Sequence, residues 1–165
     1  MKKHFVSKSD TEVSEKDLWQ TPKALFDSLN KEFGFTVDAC ASENNKLCFR
    51  HYSEENSALN SQWSDGAHFI NPPYSKTSEF LLYAADQAKT NNVDVVALVN
   101  ANTDTKWFSE ASRTANEIRL ITGRVGFIKP SGEKANGNTK GQCLIIWRGR
   151  CETPCNIIMV DRDSI

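Results

Sequence analysis

Long hydrophobic runs are missing from this 165-residue sequence, and no stretch reaches the length of a membrane span. The opening MKKHFVSKSDTEVSEKD is polar and lacks the apolar centre that secretion requires. Its five cysteines (Cys40, Cys48, Cys143, Cys151, Cys155) are an odd number and give no disulfide framework, so a cytoplasmic protein with reduced thiols is expected. An excess of either charge is also missing: 20 Lys and Arg stand against 21 Asp and Glu, a formal net charge of −1. A nucleic-acid partner would therefore be held by a local basic patch and not by the field of the whole molecule. The three histidines (His4, His51, His68) are scattered, and Cys151 and Cys155 lack a second ligand pair, so no metal site is expected.

What is present reads as one soluble domain, with 39% hydrophobic and 25% charged residues. Residues 1–17 are charged and patternless, as in a flexible arm; 18–165 form the domain. Thr21 and Pro22 suit a helix start, Leu25, Phe26, Leu29 and Phe33 mark its apolar face, and Gly34 ends it. Strands are expected at Phe35–Asp38, Ala67–Ile70, Val93–Val99, Glu117–Ile121, Gly123–Ile128 and Gln142–Trp147. Helices are expected from about Thr77 to Lys89 and from Asp104 or Thr105 through Ala111. The alternation predicts an α/β fold, a mostly parallel sheet closed by an antiparallel hairpin of the Gly123 and Gln142 strands. Between Asp38 and Asn71 there is room for only about one strand and one short helix.

Asn71-Pro72-Pro73-Tyr74 directly follows an expected strand. Proline cannot give a ladder hydrogen bond and fixes its own φ, so two of them stiffen the chain at a chosen point. This grouping suits methyl transfer to the exocyclic amine of adenine, whose lone pair is delocalised into the ring. The Asn71 side-chain oxygen and the Pro72 carbonyl can each accept one N–H, drawing the nitrogen toward tetrahedral geometry. Proline at both positions fixes the carbonyl beforehand, and Tyr74 can stack on the base, worth ~1–3 kcal/mol. A sulfonium donor needs no strong base, and no nucleophile–base pair lies near the motif. A base within a duplex would have to be flipped out to reach such a pocket. Read in isolation, the four residues also suit a tight turn after a buried strand.

NPPY at a strand end resembles the catalytic motif of S-adenosylmethionine-dependent amino-methyltransferases. WQTPKALFDSLNKEFGFTVDACASENNKLC, ALNSQW, INPPYS, LVNANTDTKWF and EIRLITGRVGF, in this order across residues 18–148, resemble the phage-encoded DNA N6-adenine methyltransferases of the phage Dam type. The resemblance implies a reduced Rossmann-like methyltransferase fold without a separate target-recognition domain, S-adenosylmethionine as donor without metal, and double-stranded DNA as partner. It also implies protection of a phage genome from restriction in the host cytoplasm.

By the same resemblance Trp19, Thr21 and Pro22 hold the methionine end of the donor, where a helix N-terminus suits a carboxylate. The plainer reading makes Trp19 core and Thr21 a cap. Asp38, Cys40, Ala41 and Ser42 resemble the first donor-binding turn, with Asp38 taking the amino group or a bridging water. That turn has no glycine, and Asp38 also reads as a simple turn residue. Asn45, just after the turn, is a weaker candidate for a donor contact; Glu54 or Glu55 could hold the ribose or form a solvated pair.

Sequence reading falls to loops: Lys129, Lys134 and Lys140 for phosphates, Asn136 and Asn138 for phosphates or base edges, and Arg124 and Lys106 on the rim. A solvated surface loop is the alternative. Leu98-Val99-Asn100-Ala101-Asn102 departs from the family's Leu-x-Pro-Ala-Arg, and Asp104 could cap a helix or line the donor pocket. Rival readings keep the chemistry with an RNA adenine or a glutamine amide as acceptor, or make the chain an inactive nucleic-acid-binding relative. The sequence leaves target site and oligomeric state open.

Overall fold

The computed structural model describes residues 13–165, so most of the expected N-terminal arm lies outside the described residues. The end of that arm belongs to the fold. Val13–Lys16 form a short helix, α1, and Asp17 is hydrogen-bonded to Ser75. Helix α2 (Lys23–Phe33) follows, then β1 (Phe35–Asp38), β2 (Arg50–His51), β3 (Ala67–Ile70), α3 (Thr77–Asn91), β4 (Val95–Asn100), α4 (Lys106–Thr114), β5 (Glu117–Thr122), β6 (Gln142–Trp147) and β7 (Asn156–Asp161). One seven-stranded sheet runs β2-β1-β3-β4-β6-β5-β7. Only β6 runs against the rest, pairing antiparallel with β4 and β5. The mostly parallel sheet is consistent with a Rossmann-like methyltransferase fold, and β2, two residues long, is the one strand in the expected short span between β1 and β3.

The unbroken apolar runs are explained by a core on both faces of the sheet. In β4, Val95, Ala97 and Val99 face the layer of α3 and α4, while Val96 and Leu98 face the layer of α2. Strand β6 repeats this, with Cys143, Ile145 and Trp147 on the first side and Leu144 and Ile146 on the second. His68 is fully buried in β3, its ring stacked on Trp63 at 4.9 Å. Among the described residues no helix is long and apolar enough to cross a membrane, and all five cysteines are free thiols.

Several boundaries differ from expectation. Thr21 does not cap α2: Pro22 occupies the cap position without a side-chain bond, and the first turn is closed by the Phe26 N–H on the Pro22 carbonyl at 3.1 Å. Gly34 ends the helix as expected, at φ 62°, a conformation that favours glycine. The segment 123–128 is not a strand of the sheet. Val125 and Phe127 are buried beneath the sheet, but the backbone of Ile128 pairs with Gln20 and Lys134. The antiparallel partners of β6 are therefore β4 and β5, not that segment. Strand β7, parallel to β5, lies where the sequence pattern predicts no strand.

Candidate active site

Strand β1 is flanked by β2 on one side and β3 on the other, so the chain turns in opposite directions from its end. Such a switch point opens a crevice at the carboxyl ends of the strands. Asp38 ends β1 and Asn71 follows β3, and the two strands are joined there by the Ala39 N–H on the Phe69 carbonyl at 2.8 Å. A cavity of about 700 Å³ opens at this place, within the usual range for a small-molecule site of ~300–1,000 Å³. Trp19, Thr21, Asp38, Cys40, Ala41, Ser42, Asn45, Asn71 and Pro73 all line it. Pro22, Pro72 and Tyr74 are not among its lining residues.

On the donor side, the buried Asp38 carboxylate accepts from the N–H of Cys40 at 3.3 Å and of Leu47 at 3.1 Å. Burial outweighs these bonds and the nearby His51, and lifts its pKa to about 6. The Asn45 oxygen accepts from the Ser42 N–H at 2.6 Å and hydroxyl at 3.0 Å. Two side-chain acceptors thus close a turn that has no glycine. None of its residues has positive φ, so the turn never needs glycine's conformational range. Burial, helped by the Asp38 charge, holds the Cys40 thiol well above its usual pKa, so the thiol is neutral. The Asp38 carboxylate shapes the turn, and the residue lines the cavity. Glu54 also lines the cavity, whereas Glu55 does not contribute to its lining.

Trp19 is buried core, stacked on Phe127 at 6.0 Å, and it is also a cavity wall. Its Nε1–H is buried without a partner among the described residues, an orphan donor that a polar ligand would satisfy. Relieved of capping, Thr21 contributes to the same wall. These features fit a polar, zwitterionic donor molecule at this place.

On the acceptor side, Asn71 Nδ2 donates to the Trp19 carbonyl at 3.2 Å. That bond settles which end of the amide is oxygen and leaves Oδ1 as the acceptor. The Pro73 carbonyl accepts from the Lys76 N–H at 2.9 Å, opening the 3-10 turn Tyr74–Lys76 that leads into α3. No hydrogen bond among the described residues engages the Pro72 carbonyl. Tyr74 is half-buried with its ring edge-on to Trp19 at 6.3 Å. Burial, helped by the Asp17 charge, raises its phenol to about pKa 12 and keeps it neutral.

The loop expected to read DNA adjoins this site. Gln20 and Ile128 exchange two backbone bonds of 2.8 and 2.9 Å, next to the Trp19–Phe127 stack. Lys134, Asn136 and Lys140 are exposed on it. Lys129 pairs with Glu15 at 3.8 Å and Lys106 with Glu110 at 3.5 Å. Asn138 is engaged within the loop, donating to the Val125 carbonyl at 3.1 Å, and the Arg124 carbonyl receives Arg162 at 3.0 Å. Asn100, in the departing segment, accepts from Gln142 at 2.8 Å. Thr105 caps α4 through the Phe108 N–H at 3.3 Å; Asp104 is exposed and contributes to neither cap nor cavity.

Asp17, Tyr52, Ser57 and Asn60 line the cavity and were not foreseen. They lie in polar stretches without periodicity, and only the pairing of β2 with β1 and the return of residues 17–20 bring them in.

The profile of a family described as "DNA N-6-adenine-methyltransferase (Dam)" matches residues 8–165. The DNA N-6-adenine-methyltransferase of Haemophilus phage HP1 (strain HP1c1) is 37% identical over 147 residues, covering 87% of this chain and 85% of its own. The protein of the same name from Escherichia phage T1 is 34% identical over 158 residues, covering 85% of this chain and 66% of its own. With a Rossmann-like sheet, a cavity at its switch point and an anchored Asn-Pro-Pro-Tyr turn on the cavity rim, the chain belongs to the Dam family of DNA N-6-adenine-methyltransferases.

Proposed function

We propose that this protein transfers a methyl group from S-adenosylmethionine to the exocyclic amine of an adenine flipped out of double-stranded DNA. The observation that carries the reading is the anchored Asn71, whose amide oxygen is turned to acceptor duty on the rim of the cavity that Asp38 closes. When bound, S-adenosylmethionine supplies a methyl group on a sulfonium, a good leaving group. Asp38 suits its ammonium group, Trp19 Nε1 and Thr21 offer donors, and Glu54 is the acid placed to meet a ribose. Asn71 Oδ1 and the Pro72 carbonyl each take one adenine N–H, and Tyr74 stacks on the base. The nitrogen lone pair would form the new C–N bond as the S–CH3 bond breaks, with the neutral thioether S-adenosylhomocysteine as leaving group and the surplus proton passing to solvent. Exposed Lys134, Asn136 and Lys140 form the surface offered to the duplex, with Arg124, Lys129, Asn138 and Lys106 as further candidate contacts.

Protection of a phage genome in the host cytoplasm is the biological role this reading supports. It is tested by incubating the protein with tritiated S-adenosylmethionine and unmethylated duplex DNA, then digesting to nucleosides. N6-methyladenine that is lost in Asn71→Ala supports the reaction. Label in RNA or protein instead would change the acceptor, and donor binding without any transfer would make the chain a binding relative.

A further inference from the structure

The Asn71–Tyr74 turn is held at both ends by one short segment far away in sequence. At its start, the Trp19 carbonyl accepts from Asn71 at 3.2 Å. At its end, the Asp17 carboxylate uses both oxygens on one residue: Oδ1 accepts the Ser75 N–H at 3.1 Å and Oδ2 the Ser75 hydroxyl at 2.5 Å. Helix α1 packs on the 3-10 turn Tyr74–Lys76, and the Gln20–Ile128 pair fixes the far side of the segment. Asp17, Trp19, Asn71 and Ser75 all border the same cavity.

The two prolines stiffen only the middle of the turn. Without Asp17, Ser75 loses its sole side-chain acceptor among the described residues, and the end of the turn keeps only local bonds, from the Lys76 N–H and the Thr77 hydroxyl to the Pro73 and Tyr74 carbonyls. Hydrogen bonds to an ionised acceptor are the shorter and stronger kind. A misplacement of ~1 Å at a reacting centre can lower a rate by ~10²-fold.

We propose that Asp17 is a positioning residue for methyl transfer, acting through Ser75 to hold the Asn71–Tyr74 turn in register with the donor. The inference rests on the proposed reaction for its catalytic consequence, but the clamp itself is measurable without turnover. The test compares wild type, Asp17→Ala, Asp17→Asn and Ser75→Ala. Single-turnover transfer, S-adenosylhomocysteine affinity, melting temperature and amide exchange within residues 71–76, read at Asn71, Tyr74, Ser75 and Lys76 because the two prolines carry no N–H, are measured on each. Asp17→Ala is expected to slow transfer by ~10–100-fold while S-adenosylhomocysteine affinity stays within about threefold. Exchange of residues 71–76 should quicken by about tenfold or more with the rest of the chain unchanged. Asp17→Asn keeps an acceptor for the Ser75 N–H and should recover part of both effects. Ser75→Ala combined with Asp17→Ala should be no slower than Asp17→Ala alone.

Unchanged exchange at residues 71–76 in Asp17→Ala would overturn the clamp, even if wild type methylates nothing. Loss of S-adenosylhomocysteine affinity in step with the rate, or a general fall in melting temperature with faster exchange throughout, would also overturn it. In the first case Asp17 would be a donor ligand; in the second, only a structural residue.

Discussion

Asn71 and Trp19, 52 residues apart, are joined by one hydrogen bond from the Asn71 amide nitrogen to the Trp19 carbonyl. The bond converts a symmetric-looking amide into an acceptor of fixed direction before any substrate arrives. Removing a preorganised polar group of this kind typically costs ~10²–10³-fold in rate. Asn71→Ala is therefore expected to lower single-turnover methyl transfer by ~10²–10³-fold, with S-adenosylhomocysteine affinity nearly unchanged. Asn71→Asp keeps an acceptor oxygen but loses the N–H that Trp19 fixes, so its rate should fall between the two. An Asn71→Asp variant no faster than Asn71→Ala would show that acceptor geometry is not what the residue supplies.

Under the proposed role of Asp38, donor binding is expected to depend on pH. Its folded pKa of about 6 lies above the usual 3.8 because the carboxyl is buried. A raised pKa favours the protonated folded form, so this contribution to stability is full below 3.8 and lost as pH rises through about 6. The ionised carboxylate left above that pH is what an ammonium group needs. S-adenosylhomocysteine affinity should accordingly rise by about tenfold from about pH 5 to about pH 7 and then level off. In Asp38→Asn the affinity should be lower and flat over that range. Calorimetric titration across the series measures both; an equally steep slope in Asp38→Asn would assign the dependence to another group.

Much of this site is legible in the sequence because its parts are local. The two prolines mark the turn by their own chemistry, and the apolar run of β4 announces a strand covered on both faces. Residues 123–128 mislead for a physical reason: Val125 and Phe127 alternate inward like strand residues, while the backbone partner of Ile128 is Gln20, more than a hundred residues earlier. Thr21 looks like a cap by type, yet Pro22 takes the position and leaves Thr21 to the cavity wall. Asp17 is invisible for a similar reason, since its meaning comes only from Ser75, 58 residues away. Strand β7 escapes because Ile157 and Met159 stay exposed on it, so its apolar residues do not report a core.

His68 is expected to contribute to the loss of stability on the acid side. Burial against Trp63 lowers its pKa to about 4, although the Gly66 carbonyl at 3.0 Å from Nδ1 favours the proton there. A depressed folded pKa contributes stability that is full above the ordinary 6.5 and lost as pH falls through about 4. Asp38 acts with the opposite sign in an overlapping range, so the wild-type profile is the sum of two opposed slopes. His68→Phe keeps a ring on Trp63 and removes the titration. Its urea midpoint should fall less than wild type's between about pH 7 and pH 4.5. Asp38→Asn should fall more, because the compensating protonation is gone. Parallel profiles for all three proteins would mean that neither group sets the slope.

If the 129–141 loop meets the duplex as proposed, its exposed cations and its amides are expected to affect binding differently. Lys134 and Lys140 are solvent-facing, whereas Lys129 is held by Glu15 and Asn138 by the Val125 carbonyl. Each duplex phosphate that a cation no longer neutralises lowers the salt slope of log affinity by ~0.9 and weakens binding regardless of sequence. Lys134→Ala and Lys140→Ala should each reduce the slope by about one and lower affinity uniformly for different duplexes. Asn136→Ala should leave the slope intact and change the distribution of methylated sites if its amide meets a base edge. Asn138→Ala frees the loop itself and should weaken binding to every sequence without changing the slope by a full unit. Fluorescence anisotropy over a series of salt concentrations distinguishes these outcomes. Identical slopes in wild type and both lysine variants would place the duplex on another face of the protein.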